Sequence, residues 1–319
     1  MTIVDDQKNP DLNFPTPSSP TPEEAQAFQL AIQYGKETDG DLLLATDPDA
    51  DRLGGAVKNN SGEYVLLTGN QMGALLLHYM LSQKQEKGIL SDNSVILKRV
   101  VTSELGRAIA ENYGVETVDT LTGFKYIAEK IEEYKREKTK TFQFGYEESY
   151  GYLIGGFVRD KDAVQAAVLI AEASAYYKQQ EMTLYDGITE LYEIYGYYKE
   201  SLTSYTLKGK DGAEQINRIV KRFRKHLPAE IAGAAVEKIE DYQSGIRTNL
   251  LKAQQERIDL PSSDVLRFWL QGGSWFAIRP SGTEPKVKFY FGVKRGTDRK
   301  SEERLKEVKA SVINVVKEI

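Results

Sequence analysis

Helix-like and strand-like segments alternate regularly between about residues 69 and 195, and this alternation constrains the fold more than any other feature of the sequence. It predicts a mainly parallel sheet with helices on both faces, because parallel neighbours need crossover connections. In such a sheet ligands bind at the carboxyl ends of the strands, so candidate binding residues are expected in the loops that follow. The predicted helices are 71–85, 103–113, 124–136, 162–180 and 184–195, and the predicted strands are 95–101, 115–118 and 141–145.

The segments on either side of this alternation predict parts of two other domains. Before it, one helix from Thr21 to about Lys36, a strand and a hairpin are too few to close an α/β core, so we expect the last part of a longer domain. After it, strands clustered between two helices predict an α+β domain with an antiparallel sheet, and the polar run 244–264 is expected to be a long loop. The predicted domains of this α/β protein are residues 1–66, 67–196 and 197–319.

Composition and charge exclude several classes of protein. The 319 residues carry a net charge of -5, so no basic surplus is available for a phosphate backbone and no nucleic-acid partner is expected. The absence of cysteine excludes disulfides, zinc–thiolate sites and cysteine nucleophiles, and it fits a cytoplasmic protein. The sequence has neither a transmembrane-length apolar run nor a signal pattern at its first residues, so no membrane partner is expected.

Three aspartates, Asp47, Asp49 and Asp51, alternate in the run TDPDADR that follows a predicted strand. Side chains at alternate positions of an extended segment point to one side, so we expect the three carboxylates to converge. Convergent carboxylates repel one another unless a cation lies among them, and oxygen ligands suit Mg2+ or Ca2+. An EF-hand is excluded, because its sixth and twelfth positions are occupied by Arg52 and Lys58 rather than Gly and Glu. A solvated acidic turn is the alternative interpretation.

Two runs after the last predicted parallel strand carry further candidates. Glu147 and Ser149 lie in the glycine-bracketed run GYEESYG, and such side chains exchange hydrogen bonds with sugar hydroxyls. Lys161 lies in the charged run RDKD, and in the functional interpretation it reaches back toward the ligand loop as a phosphate contact or acid/base group. The alternative for the first run is an acidic turn, and a run like the second is most often a solvated helix start, here capped by Asp160 or Asp162.

The run RPSGTEP at residues 279–285 joins two convincing strands near the end of the chain. Its length exceeds the two to five residues usual for a hairpin loop, and long loops in compact domains are often functional. Arginine, serine and threonine side chains together with glycine amides form a nest for a dianionic phosphate. We therefore predict phosphate binding here, with a decorated β-turn as the alternative.

The runs DPDADR, GYEESYG and RPSGTEP, in this order and at these separations, resemble the motifs of the α-D-phosphohexomutases. The resemblance covers essentially the whole chain and is greatest to the phosphoglucomutase branch with bacterial and phosphopentomutase-like members. It implies the latter part of that family's second domain, the whole third domain and the fourth, phosphate-binding domain. The Glu-Glu-Ser sugar loop resembles that of members acting on glucose phosphates, whereas members acting on glucosamine phosphate or mainly on mannose usually differ there.

The resemblance also implies roles for individual residues. A catalytic Mg2+ would be held by Asp47, Asp49 and Asp51. The catalytic residues would be Arg52, at the transferring phosphoryl group, and Lys161, near the reacting hydroxyl. The substrate-binding residues would be Gly123, Lys125, Glu147 and Ser149 for the sugar and Arg279, Ser281, Gly282 and Thr283 for the phosphate that is not transferred. The implied substrate is a hexose phosphate, and glucose 1,6-bisphosphate is the implied intermediate and activator of the intact enzyme.

One motif of the family is missing from the sequence. The family's phosphorylated serine lies in a Ser-His-Asn-Pro type loop, and neither His78 nor His226 lies in such a loop. We therefore expect the C-terminal part of a phosphoglucomutase without activity of its own, because positioned cations cannot supply the missing phosphoryl carrier. A non-catalytic sugar-phosphate-binding protein or subunit is one alternative, and a phosphomannomutase or phosphopentomutase is another. Exposed edges of the shortened first domain are expected to favour self-association.

Overall fold

The computed structural model describes residues 1–9, 11–13, 15–17, 19–207, 209–226, 228–282 and 284–319. Its chain divides into two compact units, Met1–Tyr195 and Gly196–Ile319. Within the described residues, the first unit holds a three-stranded and a four-stranded sheet, and the second unit holds one larger sheet. No helix in these ranges is long and apolar enough to cross a membrane.

The three-stranded sheet of the first unit is antiparallel in the order β1-β2-β3, formed by Leu42–Thr46, Leu53–Lys58 and Tyr64–Leu67. Before it come two 3-10 helices, Asp5–Gln7 and Ala25–Phe28, and helix α1, Gln29–Thr38. Phe28 of the second 3-10 helix packs with Leu43 and Ala56 of the sheet. The predicted hairpin is confirmed. The predicted helix start is wrong, because Thr21 accepts the Glu24 amide in a separate turn and helical structure begins only at Ala25.

The four-stranded sheet has the order β5-β4-β6-β7, formed by Glu116–Thr120, Ser94–Arg99, Thr141–Tyr146 and Tyr152–Ile154. β4 pairs in parallel with both β5 and β6, and all of its residues are buried, as expected of a central strand covered on both faces. The predicted mainly parallel sheet is confirmed. The antiparallel strand β7 was not predicted, since three residues carry too little pattern to identify a strand.

The described part of the first unit also contains five longer helices after β3: α2, Gly69–Glu86; α3, Leu105–Asn112; α4, Phe124–Glu137; α5, Ala163–Gln179; and α6, Leu184–Tyr195. α4 covers one face of the sheet, where Ile127 packs with Val95 and Leu97 of β4. The chain leaves β4 for β5 in one direction and crosses to β6 in the other. The carboxyl ends of β4 and β6 therefore flank the switch point at which open α/β sheets bind ligands.

The second unit is an antiparallel sheet in the order β12-β11-β10-β13-β14-β15-β8, with β9 paired to β10. Its strands are β8, Tyr197–Thr206; β9, Glu230–Ile231; β10, Ala234–Asp241; β11, Ile246–Asn249; β12, Gln254–Arg257; β13, Leu266–Leu270; β14, Trp275–Pro280; and β15, Lys286–Arg295. Helices α7, Gly209–Lys225, and α8, Asp298–Lys317, share one core with the sheet through Phe223 and Val312. The predicted antiparallel α+β domain is confirmed. The long loop predicted at 244–264 is wrong, because it contains the hairpin of β11 and β12.

Candidate functional site

The three predicted metal ligands converge in the turn that leaves β1. Asp47, Asp49 and Asp51 each offer one carboxylate oxygen, and these oxygens lie within 4.8 Å of one another. A tight turn rather than the expected extended segment brings them together: the Ala50 amide donates to the Asp47 carbonyl oxygen at 3.1 Å, and Ala50 has a φ of 53°. The amides of Asp51 and Arg52 both donate to Asp47 Oδ1 at 3.0 Å, which fixes that carboxylate inside the turn.

The electrostatics of this turn fit a divalent cation. Burial raises the pKa of Asp47, and the carboxylates of Asp51 and Asp49 raise it further, although the hydrogen bond from the Arg52 amide opposes the rise. Asp51 Oδ1 is buried and accepts no hydrogen bond from any described residue. Arg52 Nε lies 3.6 Å from Asp47 Oδ2 and 3.7 Å from Asp51 Oδ1, beyond good hydrogen-bond distance. Three carboxylates with an orphaned oxygen form a donor set suited to Mg2+ or Ca2+.

Lys161 reaches from the segment before α5 to the aspartate turn. Its Nζ lies 2.6 Å from Asp51 Oδ2 and 5.8 Å from the centroid of the Phe124 ring. Its aliphatic part passes over Gly151, where a β-carbon would come within 2.3 Å of Lys161 Cδ. A glycine at the end of the GYEESYG run is therefore required for this approach. Asp162 caps α5 by accepting an amide hydrogen bond at 3.0 Å from the first turn of the helix.

The polar side chains of the GYEESYG run are held by Arg99, the last residue of β4. Arg99 Nη2 lies 3.0 Å from Glu147 Oε2, and Nη1 lies 3.4 Å from Glu148 Oε1. Nη1 also donates to Ser149 Oγ at 3.2 Å, and Ser149 Oγ donates to Glu147 Oε2 at 2.8 Å. Thr102 Oγ1 donates to Glu148 Oε2 at 3.0 Å. Glu147 is only 4% exposed, so this loop is an ordered set of hydrogen-bonding groups rather than a solvated acidic turn.

The aspartate turn and the GYEESYG loop lie against each other near the carboxyl end of β6. Arg52 and Gly151 form an isolated antiparallel bridge, and the Leu53 amide donates to the Tyr150 carbonyl oxygen at 2.9 Å. The Arg52 guanidinium extends to Glu23, with Nη1 2.9 Å from Glu23 Oε1. The structure therefore brings together the three aspartates, both predicted catalytic cations and both acidic-loop residues.

The predicted sugar-facing turn lies at the start of α4, directly after β5. Gly123 adopts a φ of 118°, which glycine reaches far more readily than other residues. Lys125 is exposed, and its Nζ lies 4.8 Å from the centroid of the Tyr126 ring. Phe124, the residue between Gly123 and Lys125, links this turn to the site, because the Lys161 ammonium lies over its ring.

The predicted phosphate loop lies in the second unit and is shorter than expected. Arg279 and Pro280 belong to β14 and pair with β15, so only residues 281–285 connect the two strands and the argument from loop length is wrong. Ser281 Oγ accepts the Glu284 amide at 3.3 Å, and Gly282 is exposed, with no atom of the described residues beyond its chain neighbours within 4 Å of where a β-carbon would lie. Thr283 lies outside the described residues.

Sequence reasoning missed three residues of this arrangement: Glu23, Arg99 and Thr102. The predicted strand 95–101 contains Arg99 and ends just before Thr102, so neither residue falls in a predicted loop. Their signal was their place at the carboxyl end of the central strand, where ligand-site residues of such sheets are found.

Models of one protein family match three successive segments of the chain. All three models describe domains of the Phosphoglucomutase/phosphomannomutase family. Residues 1–62 match its alpha/beta/alpha domain II, residues 68–195 match its alpha/beta/alpha domain III, and residues 215–315 match its C-terminal domain. The fold and the loops described above agree with these matches. The chain belongs to the phosphoglucomutase/phosphomannomutase family.

Curated relatives match most of the chain. The chain is 38% identical over 293 residues to a phosphoglucomutase of Staphylococcus haemolyticus and 40% identical over 294 residues to one of Staphylococcus aureus. Each match covers 92% of this chain and 52% of the relative, so the chain spans about half the length of the curated relatives it matches.

Solved structures share the fold. A phosphoglucomutase/phosphomannomutase family protein from Burkholderia thailandensis superimposes with a TM-score of 0.60 at 16% identity, over 93% of this chain and 52% of that one. The phosphoglucomutase pp63/parafusin from Paramecium, in an open form, gives a TM-score of 0.56 at 16% identity, over 87% of this chain and 44% of that one.

Proposed function

We propose that the chain supplies the metal-, sugar- and phosphate-binding part of a phosphoglucomutase that interconverts glucose 1-phosphate and glucose 6-phosphate through a bisphosphate. The observation that carries this proposal is the meeting of the aspartate turn, Lys161 and the Glu147–Ser149 pair around the carboxyl end of β6. The staphylococcal relatives, which are named phosphoglucomutases, support glucose over mannose or pentose as the sugar.

The proposed roles follow from the chemistry of each group. Asp47, Asp49 and Asp51 hold Mg2+, which when bound offsets negative charge on the phosphoryl oxygens. Arg52 adds a second cation near the same turn, and the Lys161 ammonium donates a hydrogen bond toward the reacting sugar oxygen. Glu147 and Ser149 orient the sugar by accepting hydrogen bonds from its hydroxyls, since the Ser149 hydroxyl proton is donated to Glu147. The sugar-facing turn is formed by Gly123 and Lys125, and the residues proposed for the other phosphate are Arg279, Ser281, Gly282 and Thr283.

Calorimetric titration of the full chain with glucose 1,6-bisphosphate in the presence of Mg2+ tests the proposal. We expect saturable binding that weakens about tenfold in Asp51→Asn, because one charged ligand is lost. The matched control is Asp160→Asn, an exposed carboxylate 3.9 Å from the same Lys161 Nζ, which should bind as the wild type does. Absence of binding by the wild type at millimolar ligand would overturn the proposal.

We expect no mutase turnover by the chain alone, since its sequence has no Ser-His-Asn-Pro type loop to carry the phosphoryl group. The same observation favours a second candidate function, a sugar-phosphate-binding subunit that completes an enzyme with another chain. Mixing the protein with the N-terminal half of a staphylococcal phosphoglucomutase, and following glucose 6-phosphate with a coupled dehydrogenase, tests this candidate. Turnover only in the mixture supports it, whereas turnover by the chain alone contradicts both expectations.

A further inference from the structure

Arg99 has no role in the proposed chemistry, yet one guanidinium ties together three side chains of the acidic loop. It contacts Glu147, Glu148 and Ser149 at 3.0 to 3.4 Å and is itself only 8% exposed. Two carboxylates adjacent in sequence and confined to a tight turn repel each other, and a buried cation between them offsets that repulsion. The loop's geometry therefore depends on a residue outside the loop.

The turn that carries Arg99 is fixed from the interior of the sheet by Lys98. This lysine is fully buried, and its Nζ donates to the Thr102 carbonyl oxygen at 3.2 Å. It also forms ion pairs with Glu104 at 2.8 Å and with Asp119 at 3.0 Å. Thr102 in turn holds Glu148 by a hydrogen bond from its hydroxyl to Oε2. Arg99 thus follows a buried lysine that is paired with two carboxylates. This limits how far the backbone of Arg99 can move with the acidic loop.

We propose that Arg99 is a positioning residue that sets how strongly the site recognises sugar hydroxyls, a role that rests on the proposed function. Arg99 holds Glu147 Oε2 and Ser149 Oγ in place before the ligand arrives, so the ligand does not have to order them. The affinity that depends on Arg99 is therefore the part contributed by the sugar hydroxyls. The part contributed by the phosphates does not depend on it.

The first test compares two ligands in calorimetric titrations of the full chain with Mg2+: glucose 1,6-bisphosphate and hexane-1,6-diol bisphosphate, which lacks the ring hydroxyls. In Arg99→Met we expect affinity for the sugar bisphosphate to fall about tenfold or more and affinity for the diol bisphosphate to stay within about twofold. Arg99→Lys restores part of the sugar preference, since it returns the charge without the fork. The control Arg136→Met removes an exposed cation that pairs with Glu137, the next residue in the chain. Equal weakening of both ligands would mean a merely structural role and would overturn the inference.

The second test needs no ligand. Hydrogen–deuterium exchange should rise at residues 147–151 in Arg99→Met and stay unchanged over β14 and β15 of the second unit. Unchanged exchange at the acidic loop would refute the positioning role, whatever the titrations give. If the wild type binds neither bisphosphate, the proposed function fails while the exchange experiment still decides whether Arg99 holds the loop.

Discussion

Gly151 and Lys161 share a space that a β-carbon would fill. The contact matters because the Lys161 ammonium reaches Asp51 only by passing over this glycine. In Gly151→Ala we expect the lysine chain to swing away from the aspartate turn, since its far end is flexible and the backbone is not. Lys161, 14% exposed at its side chain in the wild type, would then react faster in reductive methylation followed by mass spectrometry. Gly296→Ala, where nothing lies within 4 Å, is the control, and equal Lys161 reactivity in all three proteins would contradict the expectation.

His78 makes stability depend on pH through burial in α2. Desolvation lowers its pKa below the ordinary value of 6.5. The unfolded chain therefore binds a proton that the folded chain does not, so stability is lost as pH falls below about 6.5 and toward the folded-state pKa, by at most about 1.4 kcal/mol per pH unit. Urea unfolding at several pH values should show a smaller loss for His78→Gln than for the wild type. The exposed histidine variant His226→Gln should keep the full loss; an unchanged loss in His78→Gln would contradict the argument.

The residues of the site were predictable where a motif concentrated them and not where the fold supplied them. The aspartates, Glu147, Ser149 and Lys161 follow from short runs of charged residues beside predicted strands. Arg99 was missed because Val100 and Val101 extend the apolar run, so periodicity placed the arginine inside a strand. The chain instead turns at once, with the Thr102 amide donating to the Arg99 carbonyl oxygen at 3.0 Å. A one-dimensional pattern does not record where a ladder of hydrogen bonds ends.

At the scale of elements, a closed ring of charges joins β4, β5 and α3. Lys98 pairs with Glu104 and Asp119, and Arg107 pairs with the same two carboxylates at 2.8 and 2.6 Å. Burial opposes the charge of Arg107, but Asp119 and Glu104 outweigh it and raise the pKa of the guanidinium. The ring fixes the start of α3 against the ends of the two parallel strands β4 and β5.

Removing one member of this ring should destabilise the fold strongly. We expect Lys98→Met to lower the free energy of unfolding by about 3 kcal/mol, because Glu104 and Asp119 lose a fully buried cation and keep only Arg107 as a partner in the ring. Lys130→Met, which breaks a partly exposed pair with Glu133 on α4, should cost less than about 1 kcal/mol. Urea unfolding measures both, and similar losses for the two variants would contradict a special role for the ring.

Elements with several buried apolar residues were predicted, and exposed or very short elements were not. Helices α3, α4 and α6, strand β4 and strands β13 to β15 belong to the first group, whereas β7 is buried but has only three residues. β12 is exposed along its whole length and so shows no half-buried alternation. The start of α1 was misplaced because the Thr-Pro-Glu-Glu signal of a helix cap also suits the isolated turns that occupy those positions.

At the scale of the whole molecule, the first unit has an edge strand, β1, that is rich in leucine, and two exposed valines on α5. Within the described residues β1 is an edge strand of its sheet. Its sequence, LLLAT, contains none of the charged residues or prolines that prevent edge strands from pairing with other chains. α5 runs alongside β1, with the Ala163 amide bonded to Ala50 at 3.0 Å and Lys178 paired to Asp41 at 2.6 Å.

The edge strand β1 and the exposed valines of α5 lead us to expect concentration-dependent self-association. On α5, Val164 and Val168 are 64% and 65% exposed one helical turn apart. Val168→Asp should reduce self-association in sedimentation velocity, because it places an unpaired charge in the contact. Ile89→Asp, at a residue 64% exposed after α2, serves as the control. A wild type that sediments as a monomer at every concentration would contradict the expectation.

The left-handed backbone at Ala50 has a consequence for the rate of metal capture. A non-glycine residue in that conformation costs about 1–2 kcal/mol of conformational free energy. Folding of the aspartate turn already includes this cost, so it is not added when a cation binds. A divalent cation held by this turn would meet carboxylates that are already gathered, so no loop would have to close first. Loss of water from the ion would then limit the rate of binding. Mg2+, which sheds its hydration shell reluctantly, should associate with this turn more slowly than Ca2+, even where it binds as tightly.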